Sequence, residues 1–108
     1  MTTTLHTTTI AGHEVDVNEE GFLTRPDQWS EDLGRELARL IGVELTDEHW
    51  TLIRFLRDDF AAEGETATLR RVSTRTGIPI KSLFTLFPGK PAKKMAYVAG
   101  LPKPKGCV

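Results

Sequence analysis

Cys107 is the residue with the clearest capacity for chemistry, and it stands in the run Lys103-Pro104-Lys105-Gly106-Cys107-Val108. It is the sole cysteine, so an intrachain disulfide is excluded and any sulfur chemistry is that of a lone thiol. A lone cysteine is more often a small buried apolar residue, but a segment of lysine, proline and glycine offers almost no apolar surface with which to bury one. The position therefore predicts an exposed nucleophile. Lys103 and Lys105 favour the thiolate while the carboxylate of Val108 opposes them, so the expected net shift is modest and a docking partner completes the activation. His6, His13 and His49 lack ligand-type spacing, and no metal site is expected; His49, beside Trp50 at a helix start, reads as structural. Asp58 and Asp59 are adjacent and point apart on a helix, which suits a solvated face better than paired acid-base work. The nine glycines form no GxGxxG run and there is no phosphate loop, so no cofactor is expected. Prenylation needs a cysteine fourth from the end, which Cys107 is not.

The thiol must be presented by an arm. Leu101 to Cys107 in polyproline geometry spans about 22 Å at 3.1 Å per residue, enough to carry sulfur into another protein's cleft. Catalytic groups need fixed geometry, so the sulfur of such an arm is a cargo point rather than a whole catalyst. The body behind it reads as one domain over residues 1–108, α+β and mainly α. Residues 1–6 read as a disordered start and residues 7–24 as a small β-hairpin or meander, with turns at Ala11-Gly12 and Asn18 to Gly21. Residues 30–100 read as a helical bundle and 101–108 as a mobile, projecting arm. Within the bundle, Ser30 caps a helix with Leu33, Leu37, Leu40 and Ile41 on its buried face. Thr46 caps a second helix to about Ala62, in which Trp50, Ile53, Leu56 and Phe60 form one stripe widened by Leu52 and Phe55. A short helix through Leu69 and Val72 ends at Gly77, Pro79 opens another carrying Ile80, Leu83, Phe84 and Phe87, and Pro91 opens the last, closed by Gly100. Trp29 and Trp50 are expected in the core.

The net charge of −1 conceals a division: residues 1–65 hold all fifteen Asp and Glu with five Arg, and residues 66–108 hold nine Lys and Arg and no acid. The halves can neutralise each other in part, or the chain can present a basic face that attracts an acidic partner. Lys93, Lys94, Lys103 and Lys105 are the expected docking residues of that face. No run approaches the roughly 20 apolar residues of a membrane span, and the threonine-rich start lacks the features of a signal peptide; a cytoplasmic protein without membrane contact is expected.

Several motifs carry a family resemblance. Leu86-Phe87-Pro88, Pro91-Ala92-Lys93 and above all Ala99-Gly100-Leu101-Pro102-Lys103-Pro104 with Gly106-Cys107-Val108 resemble the end of the DsrC/TusE family. Gly21-Phe22-Leu23, Gln28-Trp29-Ser30, His49-Trp50 and Arg54-Phe55-Leu56-Arg57-Asp58 resemble its earlier motifs in the same order. The resemblance implies a small sulfur carrier, a sulfurtransferase only in that sense, in which Cys107 accepts a persulfide sulfur and passes it on. It implies a donor complex of the TusBCD/DsrEFH type and a downstream acceptor protein. The DsrC partner of dissimilatory sulfite reductase has a second cysteine eleven positions earlier, where this chain has Ala96. A single-cysteine member is therefore implied, TusE-like or DsrC-like, relaying sulfur toward 2-thiouridine in tRNA or within sulfur oxidation.

A helix-turn-helix DNA-binding regulator is the alternative. Leu69 to Phe87 fits that pattern, with Val72, Leu83 and Leu86 inward, Gly77 and Ile78 at the turn, and Lys81, Ser82 and Thr85 on the candidate reading helix. Arg70, Arg71 and Arg75 lie on the first helix, where they could grip only phosphates. An ordinary two-helix corner accounts for the same pattern and is the preferred reading.

Overall fold

The computed structural model describes residues 6–105. Strands β1 (His6–Ile10) and β2 (His13–Val17) pair antiparallel, with Ile10 opposite His13 and Thr8 opposite Val15. The two-residue turn between them places Ala11 and Gly12 at φ 51° and 81°, the primed geometry that suits the twist of a hairpin. The Asn18 side chain then accepts from the amides of Glu20 (2.9 Å) and Phe22 (3.1 Å), which folds the chain back so that Leu23 bridges to Val17. Val15, Val17 and Leu23 close over Leu33 and Leu37 of α1 (Glu31–Leu40). Ser30 caps α1, its Oγ accepting from the Leu33 amide at 3.3 Å. Leu40 departs from expectation: it is 52% exposed. It lies in the last turn, where the chain reverses so that the Val43 amide reaches the Ala38 carbonyl, and Ala38 takes the inward place.

The larger core lies on α2 (Asp47–Glu63), whose Leu52, Ile53 and Leu56 are buried while Trp50, Phe55 and Phe60 pack along its edges. Its first turn is held by a capping box in which His49 stands where glutamate usually does. The Thr46 amide donates to His49 Nδ1 (3.0 Å), so the ring proton sits on Nε2 and is donated to the Leu86 carbonyl (2.8 Å). With its ring edge-on to Phe87, His49 is structural, as expected. Helices α3 (Leu69–Thr76), α4 (Ile80–Leu86) and α5 (Pro91–Val98) complete the bundle, contributing Val72, Leu83, Met95 and Val98 to the same core. Pro79 is the residue before α4 rather than its first helical position, and Pro91 opens α5.

Asp59 and the segment after α5 both depart from expectation. Asp59 is not on a solvated face: its side chain is 1% exposed and receives Arg71 (2.6 Å) and Arg75 (2.8 Å) from α3. Burying one carboxylate is tolerable because two guanidiniums satisfy it. The segment after α5 does not project as far as the structure follows it. Leu101 is 1% exposed, Pro104 is buried, and the Thr66 hydroxyl donates to the Pro102 carbonyl at 2.7 Å. Cys107, with Gly106 and Val108, lies outside the described residues, as do residues 1–5.

Candidate functional site

The root of the arm is set where α5 ends. Gly100 takes φ +71°, and the Leu101 amide returns to the Ala96 carbonyl at 3.0 Å, so the chain leaves the helix in a fixed direction with the Leu101 side chain in the core. Two side chains from distant segments cover the last carbonyls of α5. Trp29 Nε1 donates to Val98 O (2.9 Å), and Arg57 donates through one terminal nitrogen to Ala99 O (2.8 Å) and through the other to Pro26 O (2.9 Å). The Arg57 guanidinium also lies 4.3 Å from the centre of the Trp29 ring, a cation on an aromatic face. Burial pulls its pKa below the ordinary value, with Asp58 opposing, yet an arginine stays charged at neutral pH and favours the negative end of the helix. Trp29 is packed so closely here that a β-carbon at Gly100 would sit 2.4 Å from its Cδ1.

Beyond the root, each of the four expected docking lysines has a partner within the molecule. Glu20, on the loop after β2, receives Lys103 (3.1 Å) and Lys93 (3.5 Å); Lys105 approaches Glu65 (3.7 Å), and Lys94 donates to the Pro88 carbonyl (2.6 Å). The acidic and basic halves of the chain thus neutralise each other in part, at the arm and again at Asp59. The hydrogen bond from Lys103, aided by its charge and that of Lys93, holds the Glu20 carboxyl below its ordinary value of 4.5. The bridge from arm to loop is therefore complete above that value and is lost as pH falls through the lowered one. A carbon-13 titration of the Glu20 carboxyl should show a midpoint below 4.5 that returns toward it in Lys103→Met; an unshifted midpoint in the parent chain would contradict the bridge.

Lys93 and Lys94 also line a cleft of about 300 Å3 with Glu20, Phe22, Ile41 and Tyr97. Phe22 and Tyr97 meet edge to face at 5.9 Å on its wall. Sequence reasoning found the lysines but not the apolar walls, which come from the loop after β2, the end of α1 and α5. Among the described residues no group of three or more His, Cys, Asp or Glu could hold a metal ion. No helix among them is long and apolar enough to cross a membrane.

The helix-turn-helix pattern resolves into packing. Val72 and Leu83 are buried, Gly77 makes the turn at φ +79°, and Arg71 and Arg75 are engaged by Asp59. The outer face of α4 presents Ile80 and Phe84, 41% and 46% exposed, alongside Lys81 and Thr85, so half of the face expected to read base edges is apolar.

A short antiparallel hairpin on a five-helix bundle is the architecture this chain shares with solved DsrC structures. The family model described as DsrC like protein matches residues 9–108, and the chain belongs to that family. It is 36% identical over 106 residues to a sulfurtransferase TusE homolog of Haemophilus influenzae, covering 92% of this chain and 97% of that one. It is equally identical over 101 residues to the dissimilatory-type sulfite reductase subunit gamma of Nitratidesulfovibrio vulgaris, covering 93% and 96%. The NMR structure of DsrC from Allochromatium vinosum superposes with a TM-score of 0.83 at 34% identity, covering 96% of this chain and 99% of that one.

Proposed function

We propose that this protein is a sulfur-relay carrier on which Cys107 is the loading point. The observation that carries the reading is that the family match runs through residue 108 and so includes the cysteine segment, among relatives named as sulfurtransferases and as a sulfite reductase subunit. The Cys107 thiolate attacks the outer sulfur of a donor persulfide, the donor's S–S bond breaks, and its thiolate leaves. The product is a Cys107 persulfide, with no net oxidation or reduction. An acceptor nucleophile then takes that outer sulfur and Cys107 leaves as thiolate. Lys103 and Lys105, opposed by the Val108 carboxylate and paired with Glu20 and Glu65, favour the thiolate only modestly, so the docked partner completes its activation; Lys93, Lys94, Lys103 and Lys105 meet acidic surfaces on donor and acceptor. Sulfur destined for tRNA 2-thiouridine or for an oxidative pathway would use the same chemistry, in the cytoplasm, with donor complexes of the TusBCD/DsrEFH type. Ala96, buried in α5, leaves no second thiol to close a disulfide with Cys107.

The test is intact and peptide mass spectrometry after incubation with a persulfide donor. One added sulfur on the Cys107 peptide, absent from Cys107→Ser, is expected; an adduct elsewhere, or one that survives the substitution, would overturn the assignment.

A further inference from the structure

We propose that the cleft formed by Phe22, Ile41, Lys93, Lys94 and Tyr97 docks an acidic segment of a relay partner bearing one apolar side chain, and that Glu20 holds the place of that partner's carboxylate. Three observations converge on it. The walls include the apolar and aromatic side chains of Ile41, Phe22 and Tyr97, and at about 300 Å3 the space lies at the small end of binding pockets and has room for one apolar side chain. The rim carries positive excess: Lys93 and Lys94 line it and Lys103 reaches it, against the single carboxylate of Glu20. The Tyr97 hydroxyl, with no hydrogen-bond partner among the described residues, remains a donor for a carboxylate; burial raises its pKa and keeps it protonated.

Glu20 occupies this rim without filling the cleft. Its two oxygens already receive Lys93 and Lys103, the contacts an incoming carboxylate would make. Exposed pairs of this kind are worth little in water, so a partner carboxylate can displace Glu20 and gain the apolar contact that Glu20 does not make. Lys103 belongs to the arm root, and docking is therefore transmitted to the segment that carries Cys107. The proposal rests on the carrier reading only for calling the occupant a relay partner.

The experiment titrates the isotope-labelled full chain with the blocked peptide acetyl-Asp-Glu-Leu-Glu-Asp-amide, and with its Asn/Gln counterpart, while persulfide loading of Cys107 is measured in parallel. Saturable NMR shifts at Phe22, Ile41, Lys93, Lys94 and Tyr97 are expected with the acidic peptide alone. Glu20→Gln should bind roughly threefold more tightly, as expected for removal of an exposed competing pair, and Lys93→Glu with Lys94→Glu should bind at least tenfold more weakly. No saturable shift at the cleft, or a Glu20→Gln chain that binds no better, overturns the proposal. So do cleft shifts that appear on concentrating the protein alone, which assign the cleft to a second copy, or on deleting residues 106–108, which assign it to the chain's own end. Loading without peptide binding refutes only the cleft, and peptide binding without loading refutes only the carrier reading.

Discussion

Gly100→Ala is expected to lower the unfolding free energy by roughly 2–5 kcal/mol and to misdirect the arm, combining the left-handed backbone penalty of about 1–2 kcal/mol with an overpacking term of about 1–3 kcal/mol. The backbone part arises because Gly100 sits at φ +71°, and the packing part because an added β-carbon would stand 2.4 Å from Trp29 Cδ1. Trp29 cannot swing away without surrendering its bond to the Val98 carbonyl and its stacking with Arg57. Gly42→Ala separates the two parts: Gly42 has φ +75° and nothing within 4 Å of its would-be β-carbon, so it carries the backbone penalty alone. Urea unfolding of both variants should place Gly100→Ala well below Gly42→Ala; equal losses would show that Trp29 yields easily. Donor-to-acceptor sulfur transfer should fall further in Gly100→Ala than its folded fraction explains.

Asp59→Ala should lose about 2–4 kcal/mol, toward the lower end of what breaking a buried ion pair costs, because Arg71 and Arg75 keep some access to water. Those guanidiniums would remain beside an apolar pocket with Glu63 and Glu65 as their only acidic neighbours among the described residues. The loss should appear in denaturant unfolding and be largely independent of salt, since the carboxylate is shielded from screening ions. A change below about 0.5 kcal/mol, typical of a surface substitution, would mean that Asp59 is as solvated as its sequence context suggests.

That context explains what the sequence revealed and what it withheld. Helix limits were legible because they are written locally: Ser30 and Thr46 as caps, Gly77 as a left-handed stop, Pro91 as an opening residue. The hairpin followed from Ala11-Gly12 between alternating apolar residues. Asp59 was misread because its partners stand 12 and 16 positions away on another helix, and adjacency to Asp58 carries no information about them. The docked root was missed for a similar reason. Proline and lysine predict extended backbone, but the Thr66 hydroxyl and the Glu20 carboxylate that hold it belong to segments brought near only by the complete fold. Cys107 and the four lysines were found by type and position, whereas the cleft needed Phe22, Ile41 and Tyr97 from three separate stretches.

The arm root also has a bearing on how the molecule is made. Met95, Ala96, Val98 and Leu101 are interior residues, and the bond from Trp29 to Val98 spans 69 positions, so the first third of the chain cannot complete its packing until the last helix has been synthesised. Loop closure over such a separation is slow relative to local helix formation. A nascent or prematurely terminated chain lacking this segment leaves Trp29, Arg57 and the α2 core face uncovered, the kind of exposed surface that chaperones and proteases recognise. Biosynthesis thereby couples a native body to a completed tail root: quality control that removes unfolded chains also removes chains that lack the Leu101 anchor.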